Sequence, residues 1–467
     1  MVTDRTSPVV DPPGDGYHPT VSIVSVNYNG LRYLERFLES LRAIDYPSEC
    51  YRIVLVDNAS ADGSPELVRD QFPEVSIVRA EANLGFAGGC NLGIRSTRSD
   101  YVALVNNDTV VDPMWLCRLV EVAESDPRIG LVGPKMLFLT HFIDLSLETV
   151  ATDPVREDAS DAPALVLHEA HAVGCSYDKL MFRAGRLSKE EDHAGQPIHV
   201  LAQSAHLAVP VDDTELATTL VLRLRAAPPW KGVTLRILAG DTELDRAEVT
   251  RDLLTLQFQL SRESVARVAR HLINNAGTRI NGEGQFGDRD IWEFDAGQYD
   301  RVSDVPALCG ASVLLRRAML DRVGGFDTRF FMYFEDVDLS WRATRDGWRL
   351  VYTPDSRLHH VHSGSSEEGS PFWVFYVTRN HLFWLIKHGT LGAAARAVGA
   401  FYVRALRAAG RRFRRPPATS SVTDTIDLQI ARSLTRHLPG LFVSRFEPPE
   451  AGARGRWTSV RCNTRSG

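Results

Sequence analysis

Between residues 21 and 133, short apolar runs alternate with amphipathic segments, and no other feature of the chain restricts its fold as much. VSIVSVN at 21–27 reads as a buried strand, after which Leu31, Leu34, Leu38 and Leu41 recur on one helical face. RIVLVDN, VSIVRA, YVALVNND and IGLVG read as further strands. The helical segments SADGSPELVRDQF, GFAGGCNLGIRST and the stretch through Trp115, Leu116 and Leu119 lie between them. Such alternation requires right-handed crossovers, so an α/β fold with a mostly parallel sheet, covered on both faces, is predicted. In open sheets of this kind ligands bind beyond the carboxyl ends of the strands. Asp57 ends the second strand and Asp108 the fourth, which places both on one rim.

After residue 139 the pattern changes. Residues 1–19 form a Pro-rich tail read as flexible, and 20–139 make the first half of the α/β domain. Residues 140–180, acidic and rich in small side chains, read as an irregular excursion. From 181 to 262 the period becomes two: HVLAQSAHLAVPV, TLVLRLRA, VTLRILA and LLTLQFQL predict an inserted antiparallel β-sandwich-like module. Residues 263–390 return to the α/β domain, and 391–467 form a helical, basic region.

Several function classes are disfavoured. The first turn reads VNYNG, not GxGxxG, and neither a phosphate-binding GxxxxGK[ST] loop nor a GxSxG nucleophile elbow occurs. A formal charge of -6 supplies no basic field for nucleic acid. The six cysteines are scattered without a CxxC pair, as in a reducing compartment. Without a signal peptide or a long uncharged apolar run, the expected location is cytoplasmic or peripheral on a membrane.

The stretch FFMYFEDVDLSWR at 330–342 is the strongest local signal for chemistry. Aromatic side chains that exclude water raise the proton affinity of a neighbouring carboxylate, which suits Glu335 and Asp336 to acid–base work. The competing reading is that Asp336 or Asp338 merely caps the following helix.

In order along the chain, VSIVSVNYNG, VLVDNASADGS, NLGFAGGCNLGI, VNND, GASVLLRR, GGFDTRFFMYFEDVDLSWRATRDGW and the His-rich segment after TPDS closely resemble the family 2 glycosyltransferases, in particular their rhamnosyltransferase-like branch. The resemblance covers 21–138 and about 270–390. It implies a GT-A fold and inverting transfer of a sugar, expected to be L-rhamnose, from a dTDP- or UDP-sugar. The implied acceptor is a hydroxyl of a glycan or polyprenyl-diphosphate-linked oligosaccharide in cell-envelope or exopolysaccharide assembly.

By the same resemblance Asp336 is the general base and Glu335 orients the acceptor or supports Asp336. Asn27, Tyr28, Asp57, Asn58, Asn83 and Asn107 line the donor site. Asp108 and His360 hold a divalent cation, Mn²⁺ or Mg²⁺, with His359 and His362 as alternatives to His360. The family's DxD motif is thinned here to Asn106, Asn107 and Asp108. That thinning supports a rival reading, a non-catalytic glycan-binding or scaffold protein with a degenerate core. Finally, residues 371–415 are aromatic and aliphatic and end in an arginine cluster, a composition suited to a helix pair on an anionic membrane surface.

Overall fold

The computed structural model describes residues 18–151, 163–175, 180–192, 195–212, 216–228, 230–280, 286–361, 369–414 and 422–446. The chain divides into two units. The first comprises Met1–Met136, Asn275–Arg289 and Tyr299–Gly467. Residues 1–17 of the expected tail lie outside the described residues.

The first unit opens with strands β1 (Val21–Asn27), β2 (Tyr51–Asp57), β3 (Ser76–Arg79) and β4 (Tyr101–Val105), parallel in the order β3-β2-β1-β4. Helices α1 (Leu31–Arg42), α2 (Ser64–Gln71) and α3 (Gly85–Arg95) make the crossovers. On α1 Leu34, Leu38 and Leu41 of the predicted stripe are buried together with Phe37, each contributing about 1.5–3 kcal/mol, whereas Leu31, at the helix start, is exposed. In register Asn27 lies opposite Asp57, so the strand ends form one rim, as the sequence pattern requires. Next come β5 (Thr109–Val111), α4 (Trp115–Glu124) and β6 (Ile129–Ala151), a long strand that leaves this unit after Met136.

The second unit comprises Leu137–Asn274 and Asp290–Gln298. It contains the rest of β6 with β7 (Leu165–Ala172), β8 (Met181–Glu191), β9 (Pro197–Val211), β10 (Thr218–Ala226), β11 (Gly232–Ala239), β12 (Thr242–Thr250), β13 (Leu254–Leu260), the short helix α5 (Arg262–Val268) and most of β14 (Ala269–Asn275). Antiparallel pairings link β6 to β9 and β11, and β10 to β7 and β13. Leu145, Leu147, Leu207, Leu222, Leu235 and Ile237 fill its core. The antiparallel module is thus larger than 181–262. Much of the excursion expected over 140–180 is strand instead, because Ile143, Leu145 and Leu147 alternate inward from β6, and Leu165 and Leu167 from β7. Of the acidic stretch behind the irregular reading, ETVATDPVREDASDAPA at 148–164, residues 152–162 lie outside the described residues.

The chain completes the first unit with the hairpin β15 (Thr278–Ile280) and β16 (Phe286–Asp288), then β17 (Ser303–Asp304), β18 (Ser312–Arg316), α6 (Arg317–Val323), α7 (Glu335–Arg345), β19 (Arg349–His360), α8 (Pro371–His388), α9 (Leu391–Arg414) and α10 (Val422–Ser444). β18 joins the sheet antiparallel to β4, with Ser312 opposite Val105. β19 runs antiparallel to β5, with His360 opposite Thr109. Phe383, Ile426, Ile430 and Leu434 bring α8 and α10 into one apolar cluster with Phe330 and Val337 of the α7 region. Among the described residues, no helix is long and apolar enough to cross a membrane.

Candidate functional site

At the rim, side-chain amides tie three strand ends together. Asn27 is fully buried and donates to Ser60 Oγ (3.0 Å) and Ser64 Oγ (2.7 Å). Its Oδ1 accepts from Asn107 Nδ2 at 2.6 Å. A Cβ on Gly30 would collide with both amides, so this approach requires glycine. Asp57 is 4% exposed and accepts from the Ser60 N–H (3.0 Å), while Tyr28 is half exposed on the same rim. Asn58 sends its amide to Asn83 Oδ1 (3.0 Å) and to the Gly85 carbonyl (3.2 Å), and accepts from the Leu84 N–H (2.9 Å). Asn58 and Asn83 therefore brace the loop that opens α3, a use of their polar groups that the strand-end pattern alone does not reveal.

Antiparallel pairing of β19 with β5 brings His360 to Asp108. The Nε2 and Oδ1 atoms are 3.1 Å apart, with the two side chains 13% and 7% exposed. The strand's alternation sends His359 the other way, to 3.7 Å from Asp112. His362 lies outside the described residues. Asp108 and His360 offer one oxygen and one nitrogen donor, a set compatible with a divalent cation that takes its other ligands from phosphate and water. Among the described residues, no three His, Cys, Asp or Glu side chains cluster as a complete protein cage.

Asp336 stands in the first turn of α7, where the helix dipole favours a carboxylate. Its Oδ2 accepts from the Gly310 N–H (2.9 Å) and its Oδ1 from the Val337 N–H (2.8 Å). Burial lifts the Asp336 carboxyl above the ordinary Asp range, against the pull of those two donors. Glu335 is 4% exposed and its Oε2 has no hydrogen-bond partner. Burial and the Asp336 charge push Glu335 well above its ordinary range.

The loop that delivers these acids is strained. Phe331, Tyr333 and Phe334 have φ of 66°, 68° and 69°, each costing on the order of 1–3 kcal/mol for a residue with a side chain. Phe331 also closes on the loop opening α3: its carbonyl accepts from the Ala87 N–H (3.1 Å), and Gly85, at φ 70°, leaves no room there for a Cβ.

Asp338 does not cap α7, contrary to the capping alternative, since α7 has no side-chain cap. It is fully buried, with Arg342 at 2.9 Å, His388 at 2.8 Å and Lys387 in contact. Trp341 packs edge-on against Trp384, 5.2 Å between centroids.

Asp288 is a residue that sequence reasoning missed. At the end of β16 its carboxyl meets the Asn275 amide at 2.5 Å. Burial and the Asp336 charge push it up to about 6, against the Asn275 amide and the influence of His360, so it shares the electrostatic neighbourhood of both. The Gly- and Asn-rich character of the surrounding segment was the available signal.

Residues 22–140 match the family described as Glycosyl transferase family 2, and residues 267–381 match Glycosyltransferase like family 2. The chain belongs to the family 2 glycosyltransferases. The two matches flank 141–266, all of which belongs to the antiparallel unit, and the parallel run β3-β2-β1-β4 with antiparallel β18 is the GT-A core of this glycosyltransferase. It is 23% identical over 386 residues to an N-acetylglucosaminyl-diphospho-decaprenol L-rhamnosyltransferase of Mycobacterium tuberculosis, covering 78% of this chain and 85% of that one. It is also 32% identical to the succinoglycan biosynthesis protein ExoO of Rhizobium meliloti, over 25% of this chain and 33% of that protein. Among solved structures, a mannosyltransferase from Pyrobaculum calidifontis aligns over 92% of this chain and 90% of its own at 15% identity, with a TM-score of 0.40.

Proposed function

We propose that this glycosyltransferase is an inverting enzyme that moves L-rhamnose from a nucleotide-diphospho-sugar to a hydroxyl of a polyprenyl-diphosphate-linked glycan. The observation that carries the mechanism is Asp336, a carboxylate with raised proton affinity, fixed by the Gly310 N–H at the start of a helix. Asp336 takes the proton of the acceptor hydroxyl as its oxygen bonds to the anomeric carbon. The bond from that carbon to the diphosphate breaks on the opposite face, and its electron pair leaves on phosphate. Asp57, with Tyr28 beside it, faces the nucleoside, while Asn27 and Asn107 hold the rim in shape. Asp108 and His360 would hold a divalent cation, which when bound offsets the charge growing on the diphosphate. Rhamnose and the lipid-linked acceptor rest on similarity to the mycobacterial enzyme over most of both chains.

The setting we infer is the inner face of the cell membrane. α9 carries no Asp or Glu and exposes Leu406 (70%) and Phe413 (94%) beside Arg407 and Arg412. Arg404 and Arg411 are engaged by Asp427 and Asp424 of α10, so only part of the arginine cluster is available to lipid.

The deciding experiment is Asp336→Asn. Transfer should fall by about 10²-fold or more while nucleotide sugar still raises the melting temperature. Transfer at the wild-type rate would remove Asp336 as the base. A donor screen with dTDP-, UDP- and GDP-sugars tests the sugar assignment, and stabilisation only by a donor other than dTDP-rhamnose would overturn it.

A further inference from the structure

α8 reaches the strained loop through two adjacent residues. Asn380 is fully buried, and its amide nitrogen lies 2.9 Å from the Phe330 carbonyl, 2.7 Å from that of Met332 and 2.7 Å from that of Tyr333. Arg379 donates to the carbonyls of Arg329 (3.0 Å) and Phe330 (2.7 Å). It also donates from Nε to Asn380 Oδ1 at 2.9 Å. That last bond fixes which end of the Asn380 amide faces the loop: the oxygen is held by the guanidinium, and both N–H groups are turned to the carbonyls. The guanidinium is itself clamped over the rings of Phe375, Tyr376 and Phe383.

The acceptors in this contact, the carbonyls of Arg329, Phe330, Met332 and Tyr333, lie within and beside the run of residues with left-handed backbone. Phe331 and Tyr333 have positive φ and so does Phe334, which immediately precedes Glu335. A loop of ordinary residues in the left-handed region persists only where its surroundings over-determine it. Here the surroundings include one amide and one guanidinium, both on α8, with Tyr376 stacked on Phe331 at 5.2 Å and the Ala87 N–H on the Phe331 carbonyl.

We propose that Asn380 and Arg379 are positioning residues for the transfer reaction, gripping the carbonyls of Arg329, Phe330, Met332 and Tyr333 so that Asp336 meets the acceptor hydroxyl in line with the anomeric carbon. This rests on the reading of Asp336 as the base. Neither residue touches a reacting atom. Their effect is expected on chemistry more than on donor capture: Phe331 touches the loop opening α3, but the side-chain hydrogen bonds of Asn380 and Arg379 go to the 329–333 backbone and to each other, not to the rim around Asp57.

Asn380→Asp keeps the shape and removes both donors; Arg379→Lys keeps the charge and removes the fork. Steady-state kinetics, the pH dependence of kcat/KM and donor-induced thermal shift are compared with wild type and with Asp336→Asn. The expected result for Asn380→Asp is a kcat lowered by about 10²-fold, the cost of misplacing a reacting group by about 1 Å. Donor KM should stay within about threefold, and the acid limb of the pH profile should move. Arg379→Lys should show the same pattern in weaker form, and it decides the matter if Asn380→Asp does not fold. Wild-type kcat and pH profile in a folded variant would overturn the proposal. So would a loss of kcat matched by equal losses of donor affinity and melting temperature, which marks a purely structural role. Transfer retained by Asp336→Asn instead overturns the base reading, and the clamp falls with it.

Discussion

The Nε2 atom of His360 lies 3.1 Å from Oδ1 of Asp108, although 252 positions separate them in the chain. Three antiparallel residue pairs between β19 and β5 create this contact. If the pair holds a divalent cation, His360→Ala should raise the Mn²⁺ or Mg²⁺ concentration needed for half-maximal transfer by about 10–100-fold. Asp108→Asn should raise it at least as much. Metal titration of transfer by each purified variant checks this; unchanged metal dependence in both would remove the cation from this pair.

The Asp336 carboxyl sits above the ordinary Asp range because it is buried. A base must be ionised, so transfer should fall as pH drops through the raised value, and the acid limb of kcat/KM should lie at higher pH than a solvated Asp would give. Measuring kcat/KM against pH tests the assignment. An acid limb in the ordinary Asp range, near pH 4, would contradict it.

The alternating runs of 21–133 were enough to place Asp57 and Asp108 on one rim, because strand polarity alone decides which end a loop leaves from. Histidine assignment within HHVH depended on which face of β19 meets β5, and a period of two makes His359 and His360 point oppositely, so only the partner strand selects between them. Asp338 looked like a cap because it sits near a helix start. Arg342, four residues on, is a local partner, but Lys387 and His388 are 49 and 50 residues further on, and no local pattern signals them. Asn380 was invisible for a related reason: its acceptors are backbone carbonyls, which leave no trace in side-chain identity. Residues 140–151 run into an acidic stretch rich in small side chains, and that composition masks the inward alternation of Ile143, Leu145 and Leu147.

Lys387 bridges Asp327 and Asp338, with all three side chains at most 3% exposed. Removing one partner leaves buried carboxylates short of a cation, so Lys387→Met should destabilise the protein by about 3–5 kcal/mol. Burial alone would raise Asp338, but Lys387, Arg342 and His388 reverse this and hold it well below its ordinary range. A depressed carboxyl adds stability above its unfolded value and loses it as pH falls through the folded one. Wild-type stability should therefore decline below about pH 4, and the decline should be shallower in Lys387→Met. Chemical denaturation at several pH values measures both; equal stability of the two proteins near pH 7 would refute the ion-pair account.

Membrane attachment makes a separate demand. Val403, Leu406 and Phe413 lie three and seven positions apart, so they share one face of α9, and all are exposed. Arg407 and Arg412 flank that face, and each arginine near an anionic surface is worth about 1 kcal/mol. Inserting a carboxylate among them should oppose both the apolar and the electrostatic attraction. Leu406→Glu with Phe413→Glu is expected to lower co-sedimentation with phosphatidylglycerol-containing vesicles by about tenfold or more. Transfer to a water-soluble acceptor analogue should stay at the wild-type rate, because Leu406 and Phe413 are exposed and take no part in the hydrogen bonds that fix Asp336. Wild-type protein that ignores anionic vesicles, or a double variant that binds them equally well, would rule out α9 as the membrane contact.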